Sequence, residues 1–315
     1  MRVTRSRGLL GLAVAAVAAA LILCVSVIAL ALSRSGAEAR AFDLPAQPSS
    51  LARTAEAVWV ATPATGSLLA LDPASGRPLG PALPTGGSPS RLAAGEQSLW
   101  AVDSARAALL PVQRDPARVF GAIPVGSDAT DAAVAGGAVW VLSSIEGVVR
   151  AIQPGGRPVR ELPVGAGAVD LAAGGNWLVV AGAASGRVDR IDMAGRRLAG
   201  PPVLLGGLPA AVAVSGDEAW VADAERGTVT RVDLRAGERV GAPIEVGARP
   251  IAIAADGDDV YVLSRGDRAL VHVDGASGEV ESRYPAGADP VALAIDRTHV
   301  WVADGGEDTV LRFER

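Results

Sequence analysis

EAWVADAERGTVTRVDLRAGERVGAPIEVGARPIAIAAD, residues 218–256, contains four short Val-rich runs parted by turn residues. EAWVAD, TVTRVDL, ERVGAPIEVG and PIAIAAD each alternate branched or bulky side chains with small or polar ones. Asp, Gly, Pro and Arg fill the gaps, which is the chemistry of strands joined by tight turns. Four strands in about 40 residues form one supersecondary unit that cannot bury both of its faces alone.

The unit recurs from end to end. Trp59, Trp100, Trp140, Trp220 and Trp301 stand in AVWVAT, SLWAVD, AVWVLS, EAWVAD and HVWVAD, and Tyr261 takes their place in DVYVLS. Between Trp140 and Trp220, NWLVVAGA fits with Leu178 in register and Trp177 shifted by one. The seven markers are then spaced by 41, 40, 38, 42, 41 and 40 residues. After residue 40 no stretch keeps a helical period. The last unit, from Pro290, has three strands, and AFDLPAQPSSLA near the other end reads as the missing fourth. Residues near 41–46 are therefore expected to pair with residues near 309–314. This closes an all-β, seven-bladed β-propeller over residues 41–315 and leaves no open inner edge.

Counting back seven from each marker gives Ala52, Ala93, Ala133, Ala213, Ala254 and Ala294, with Ala172 in the shortened fourth unit. One place earlier stand Leu51, Leu92, Ala132, Leu171, Val212, Ile253 and Leu293. These belong to the innermost strand of each blade, where the blades converge and room is scarce.

VWVAD…TVTRVDLRAG…APIEVGARPIAI resembles the YVTN/NHL-type β-propeller repeat. The resemblance implies a propeller but no single activity, because such propellers include surface-layer and sensor ectodomains as well as virginiamycin B lyase-like and lactonase-like enzymes. It also implies an upper face built from the turns that enter the inner strands and those that follow the Trp strands. Nine places before the markers stand Ser50, Arg91, Asp131, Asp170 (eight before Leu178), Ala211, Ala252 and Ala292. Arg91, Asp131 and Asp170 on adjacent blades, opposite three alanines, are the candidate ligand site at the channel mouth. An Arg91–Asp131 pair between blades is the competing reading.

Three places after the markers stand Thr62, Asp103, Ser143, Ala181, Asp223, Ser264 and Asp304. Asp103, Asp223 and Asp304 are weak candidates for a divalent metal. Capping of their own turns is the stronger expectation. Asp72, Asp192, Asp233 and Asp274 read as turn residues, as does Asp256-Gly257-Asp258-Asp259, which lacks the later Glu of a calcium loop. His272 and His299 are expected away from the mouth. The lyase-like propellers pair a His base with a metal-binding acid, for which no match is found. Several converging amides would be needed for lactonase-like calcium binding, and the chain has the single Asn176.

Arg2, Arg5 and Arg7 precede the uncharged run Gly8 to Leu32, which is 25 residues long. A bilayer core takes about 20 apolar residues as helix. The positive-inside rule puts the N-terminus in the cytoplasm and the propeller outside. The expected division is a stub at 1–7, a signal-anchor helix at 8–32, a linker at 33–40 and the propeller beyond. The alternative is a cleaved signal peptide, with Ala29-Leu30-Ala31 or Ala37-Glu38-Ala39 as the cleavage site. Cys24 lacks a small residue before it and reads as an apolar position rather than a lipidated one.

Composition narrows function further. The chain has 29 Arg, no Lys and 34 acidic residues, a net charge of −5, which disfavours nucleic acid as a partner. One Cys excludes an internal disulfide. The expectation is a non-enzymatic binding module for an extracytoplasmic ligand or protein, with no cofactor. The alternatives are a lactonase- or lyase-type enzyme, with calcium or magnesium on Asp131 and Asp170, with or without Asp103, and Arg91 orienting an anionic substrate, or a structural envelope protein. The alanine row yields a direct test. Ala213→Leu is expected to overpack the centre, lowering stability by ~1–3 kcal/mol in a denaturant titration.

Overall fold

In the computed structural model the described residues are 39–95 and 98–315. The expected stub, anchor helix and most of the linker, together with Cys24 and, but for Ala39, both cleavage motifs, lie outside them. The described strands form seven antiparallel sheets, one per blade, arranged as a ring. Blade 5 shows the pattern: Pro209–Ser215 innermost, then Glu218–Asp223, Thr228–Asp233 and Glu238–Glu245. Blade 6 repeats it with Pro250–Asp256, Asp259–Ser264, Ala269–Asp274 and Glu279–Pro285. In blade 1 the outermost strand shrinks to Leu83–Pro84.

The sheets bury both faces, so the apolar core is not one mass but seven layers, each shared by two neighbouring blades. Trp220 of blade 5, for example, packs against Val260, Val262 and Val271 of blade 6. Each marker pairs across the sheet with an inner-strand alanine: Ala52 with Trp59, Ala93 with Trp100, Ala133 with Trp140, Ala213 with Trp220, Ala254 with Tyr261 and Ala294 with Trp301. A large indole beside a methyl group is what lets the blades narrow toward the axis.

Blade 4 corrects the sequence register. Ala172 pairs with Val179, while Leu178 pairs with Ala173. Val179 therefore holds the marker place, and Asp170 lies nine before it, as in every other blade. The place three after the marker is Gly182 rather than Ala181. Trp177, two before Val179 and facing the same layer as Val179, supplies the aromatic bulk that the valine lacks. Its indole Nε1 donates to Asp217 of blade 5 at 2.9 Å.

The ring closes as the sequence predicts. Arg40–Asp43 pairs with the last strand, Phe42 opposite Val310 and Asp43 opposite Thr309. Gln47 Nε2 donates to the Gly305 carbonyl at 2.8 Å. Phe42 sits 6.1 Å from the Trp301 ring, and the Arg312 guanidinium covers both rings. Phe42 also lies over Gly76 in blade 1, where a Cβ would come within 2.1 Å of the ring and φ is +69°. Phe42 thus spans the seam between blades 7 and 1. Since it is half-buried, Phe42→Ala is expected to cost about 2 kcal/mol, less than the ~3–5 kcal/mol of truncating a fully buried Phe. The check is chemical denaturation, with loss of cooperativity at the seam seen by hydrogen exchange of residues 309–314.

Candidate functional site: one end of the central channel

At the start of five inner strands the ladder slips at a bulge, so the residues nine before the markers turn into the channel. Ser50, Arg91, Asp131, Asp170, Ala211, Ala252 and Ala292 all line one cavity of about 190 Å³. The ring of Leu51, Leu92, Leu171 and Leu293 with Ala132 forms a waist. Beyond it lies a second cavity of about 390 Å³, lined by the alanine row and Arg53. The three residues singled out in the sequence are therefore brought together at one mouth.

Each polar member does something the sequence did not reveal. The Asp131 carboxylate oxygen accepts the Leu171 N–H of blade 4 at 2.9 Å. Asp170 accepts the Val212 N–H of blade 5 at 2.7 Å, and Ser50 Oγ accepts the Leu92 N–H of blade 2 at 3.1 Å. These N–H groups sit in the register that points away from the paired strand. In blades 6, 7 and 1 the same register turns the N–H groups of Ile253, Leu293 and Leu51 toward the methyl groups of Ala211, Ala252 and Ala292, which accept nothing. One side of the mouth is laced between blades, and on the other these donors are bare of any side-chain acceptor among the described residues.

Charge follows from this geometry. Asp131 is 6% exposed. Burial, then the neighbouring Asp170, push its carboxyl well above the usual carboxylate range, against the pull of Arg91. Burial also raises Asp170, but the Val212 N–H, Arg91 and a hydrogen bond from Asp131 oppose it. Burial and the nearness of the two carboxyl groups thus favour a protonated form of the pair over two negative charges. Arg91 acts on both through space, and no salt bridge joins it to either among the described residues. The direct Arg91–Asp131 ion pair of the competing reading is therefore not formed among the described residues.

The other candidates have local duties. Asp103 accepts from Ser88 N and Arg106 N, and Asp223 from the N–H groups of Leu208, Glu225 and Arg226. Asp304 accepts from Ala288, Asp289 and Gly306. Each ties its hairpin turn to the loop entering the same blade, and none lines the channel. Blades 3 and 6 place the carboxylate elsewhere. Asp128 receives Ser143 Oγ and the Ile145 N–H, and Asp267 receives the Ala248 N–H. Asp72, Asp192, Asp233 and Asp274 cap turns, and Gly257-Asp258 is a two-residue hairpin turn. No group of three or more His, Cys, Asp or Glu among the described residues is placed to hold a metal ion. His272 lies between Asp259 and Glu281, and His299 beside Thr298 and Asp296, both off the channel.

No family model and no curated protein matches the chain. Solved structures match in fold. Virginiamycin B lyase from Staphylococcus aureus is similar at 15% identity with TM-score 0.76, over 88% of this chain and 99% of that one. A catalytically inactive histidine-to-alanine variant of the Staphylococcus aureus lyase with quinupristin matches at 16% and 0.77, over 88% and 99%. The WD40 repeats of RRP9 match at 13% and 0.75, over 89% and 98%. Lyases and WD40 repeats alike share the propeller, so these likenesses establish the fold alone.

The acid pair makes stability depend on pH. Asp131 is raised in the folded state, so its contribution is whole below the unfolded value near 4 and is lost as pH climbs through the folded value. Asp131→Asn keeps an acceptor for Leu171 and removes the titration. The variant is expected to be more stable than wild type at pH 7 by on the order of 1 kcal/mol. Thermal unfolding of both from pH 4 to 8 checks this, with the gap expected to vanish toward pH 4.

Proposed function

We propose that the chain is a membrane-anchored, extracytoplasmic binding module, held by residues 8–32, whose propeller takes a small polar ligand at the channel mouth without performing chemistry on it. The observation that supports the reading is the grouping of Arg91, Asp131 and Asp170 on three adjacent blades around one cavity. The mouth offers a guanidinium and two carboxyl groups in one arc. Across the channel, the Ile253, Leu293 and Leu51 N–H groups face only methyl side chains. Such an arrangement suits a ligand with an acceptor for Arg91 and the bare donors, and a donor for Asp170.

A metal-dependent lyase-like reading draws on the structural neighbours. It would need a cation on Asp131 and Asp170, whose burial and nearness disfavour two negative charges. Thermal unfolding separates the two. Chelator followed by added calcium or magnesium is expected to leave the midpoint unmoved. A small polar ligand at about a hundredfold excess over its Kd is expected to stabilise by ~2.7 kcal/mol in wild type and not in Arg91→Ala. A rise on adding metal that Asp170→Ala abolishes would replace the binding reading with the enzymatic one.

A further inference from the structure

The inner strands meet one another around the channel in the order of their blades, and blade 7 closes on blade 1. The residue after each mouth position turns its N–H toward the axis. Leu92, Leu171 and Val212 give theirs to Ser50, Asp131 and Asp170. Those of Leu51, Ile253 and Leu293 meet methyl groups. These three lie on blades 1, 6 and 7, which are neighbours in the closed ring, and blade 2 beside them adds the Arg91 guanidinium. Blades 6, 7, 1 and 2 thus make one unbroken arc of donors. Asp131 and Asp170 stand on blades 3 and 4, which face blade 7 across a ring of seven. The mouth has a positive side and an acidic side, set opposite each other.

Of the residues that line this cavity, only Arg91, Asp131 and Asp170 carry charge. Arg91 and Asp170 are partly exposed to it, and Arg91 has no hydrogen-bond partner of its own among the described residues. Since burial and nearness disfavour two negative charges on the acids, one guanidinium comes close to balancing them. A ligand with two opposite poles and no net charge meets that balance. Converging backbone N–H groups beside an arginine suit a carboxylate. A carboxylate facing them suits a protonated amine. The methyl groups of Ala211, Ala252 and Ala292 leave room where the other side is filled by acids. A cavity of about 190 Å³ holds roughly six groups the size of a water molecule. The leucine waist below it stops a small ligand from passing further.

We infer that the ligand of this mouth is a small zwitterionic amino acid, with its carboxylate in the donor arc of Leu51, Ile253, Leu293 and Arg91 and its ammonium group on Asp170. The inference rests on reading the mouth as a binding site. It adds the chemical class of the ligand and the direction in which it lies.

Isothermal titration of the full-length protein in detergent tests this with glycine, β-alanine and 4-aminobutanoate, each beside its deaminated acid and its decarboxylated amine. At least one of the three is expected to bind, with both single-pole counterparts weaker by about tenfold or more. Arg91→Ala and Asp170→Asn are each expected to weaken it to a similar degree. Ala252→Asp offers the Leu293 N–H a carboxylate, as Asp170 does for Val212, and is expected to fold and to abolish binding. A counterpart that binds as tightly as its amino acid overturns the proposal. Full binding to folded Ala252→Asp, or no binding of any amino acid at millimolar concentration, also overturns it. Glycerol separates that failure from failure of the broader reading. Glycerol binding that Arg91→Ala removes keeps the mouth a binding site for neutral ligands, whereas a metal-dependent rise in melting temperature removes both readings. Should Ala252→Asp fail to fold, Asp170→Asn decides: weaker binding supports the proposal, and unchanged binding overturns it.

Discussion

Seven sheets can share one axis only where the side chains at their inner edge are small. The alanine opposite each marker meets that demand, and the indole beside it fills the widening wedge further out. Both sizes must be held together, since core packing tolerates little excess or deficit of volume. Blade 4 shows the constraint from the other side. Val179 under-fills the marker place, and Trp177 makes up the bulk from two residues away. The interblade layers, the entry bulges and the channel all depend on this pairing of large with small.

The same convergence decides what the channel can be. Inner strands that face an axis leave alternate N–H groups without a strand partner. Blades 1, 3 and 4 answer with Ser50, Asp131 and Asp170, whose side chains reach the next blade. Polar residues there are therefore structural ties that also line the cavity. A carboxylate that laces two blades is also held rigidly in the cavity, which favours selective binding over adaptable binding.

Much of this was legible in the sequence because a repeat multiplies its own evidence. Marker spacing, the alanine row and the borrowed strand together specified the blade number and the seam. The fourth blade was misaligned by one because Trp177 looks like a displaced marker. Only the strand pairing shows that Val179 takes the register and Trp177 the volume. The grouping of Arg91, Asp131 and Asp170 was readable from counting. Their bonds to neighbouring N–H groups were not, since a side chain's partner across a blade boundary leaves no trace in spacing. Asp128 and Asp267 escaped for a related reason. Asp128 joins the turn from the entry loop and Asp267 from three residues further along the hairpin turn, so the count from the marker passes over both.

The closing strand has a mechanical meaning as well. Only four residues, Arg40–Asp43, zip the ring shut, and the polypeptide enters that strand directly at its Arg40 end, opposite Arg312. Tension carried along the chain ahead of residue 39 arrives first at the seam, before any blade feels it. Pulled along the strand, the four pairs share the load. Pulled sideways, they separate singly, beginning at Arg40. The direction of a pull on that end therefore decides whether four pairs resist it together or one at a time.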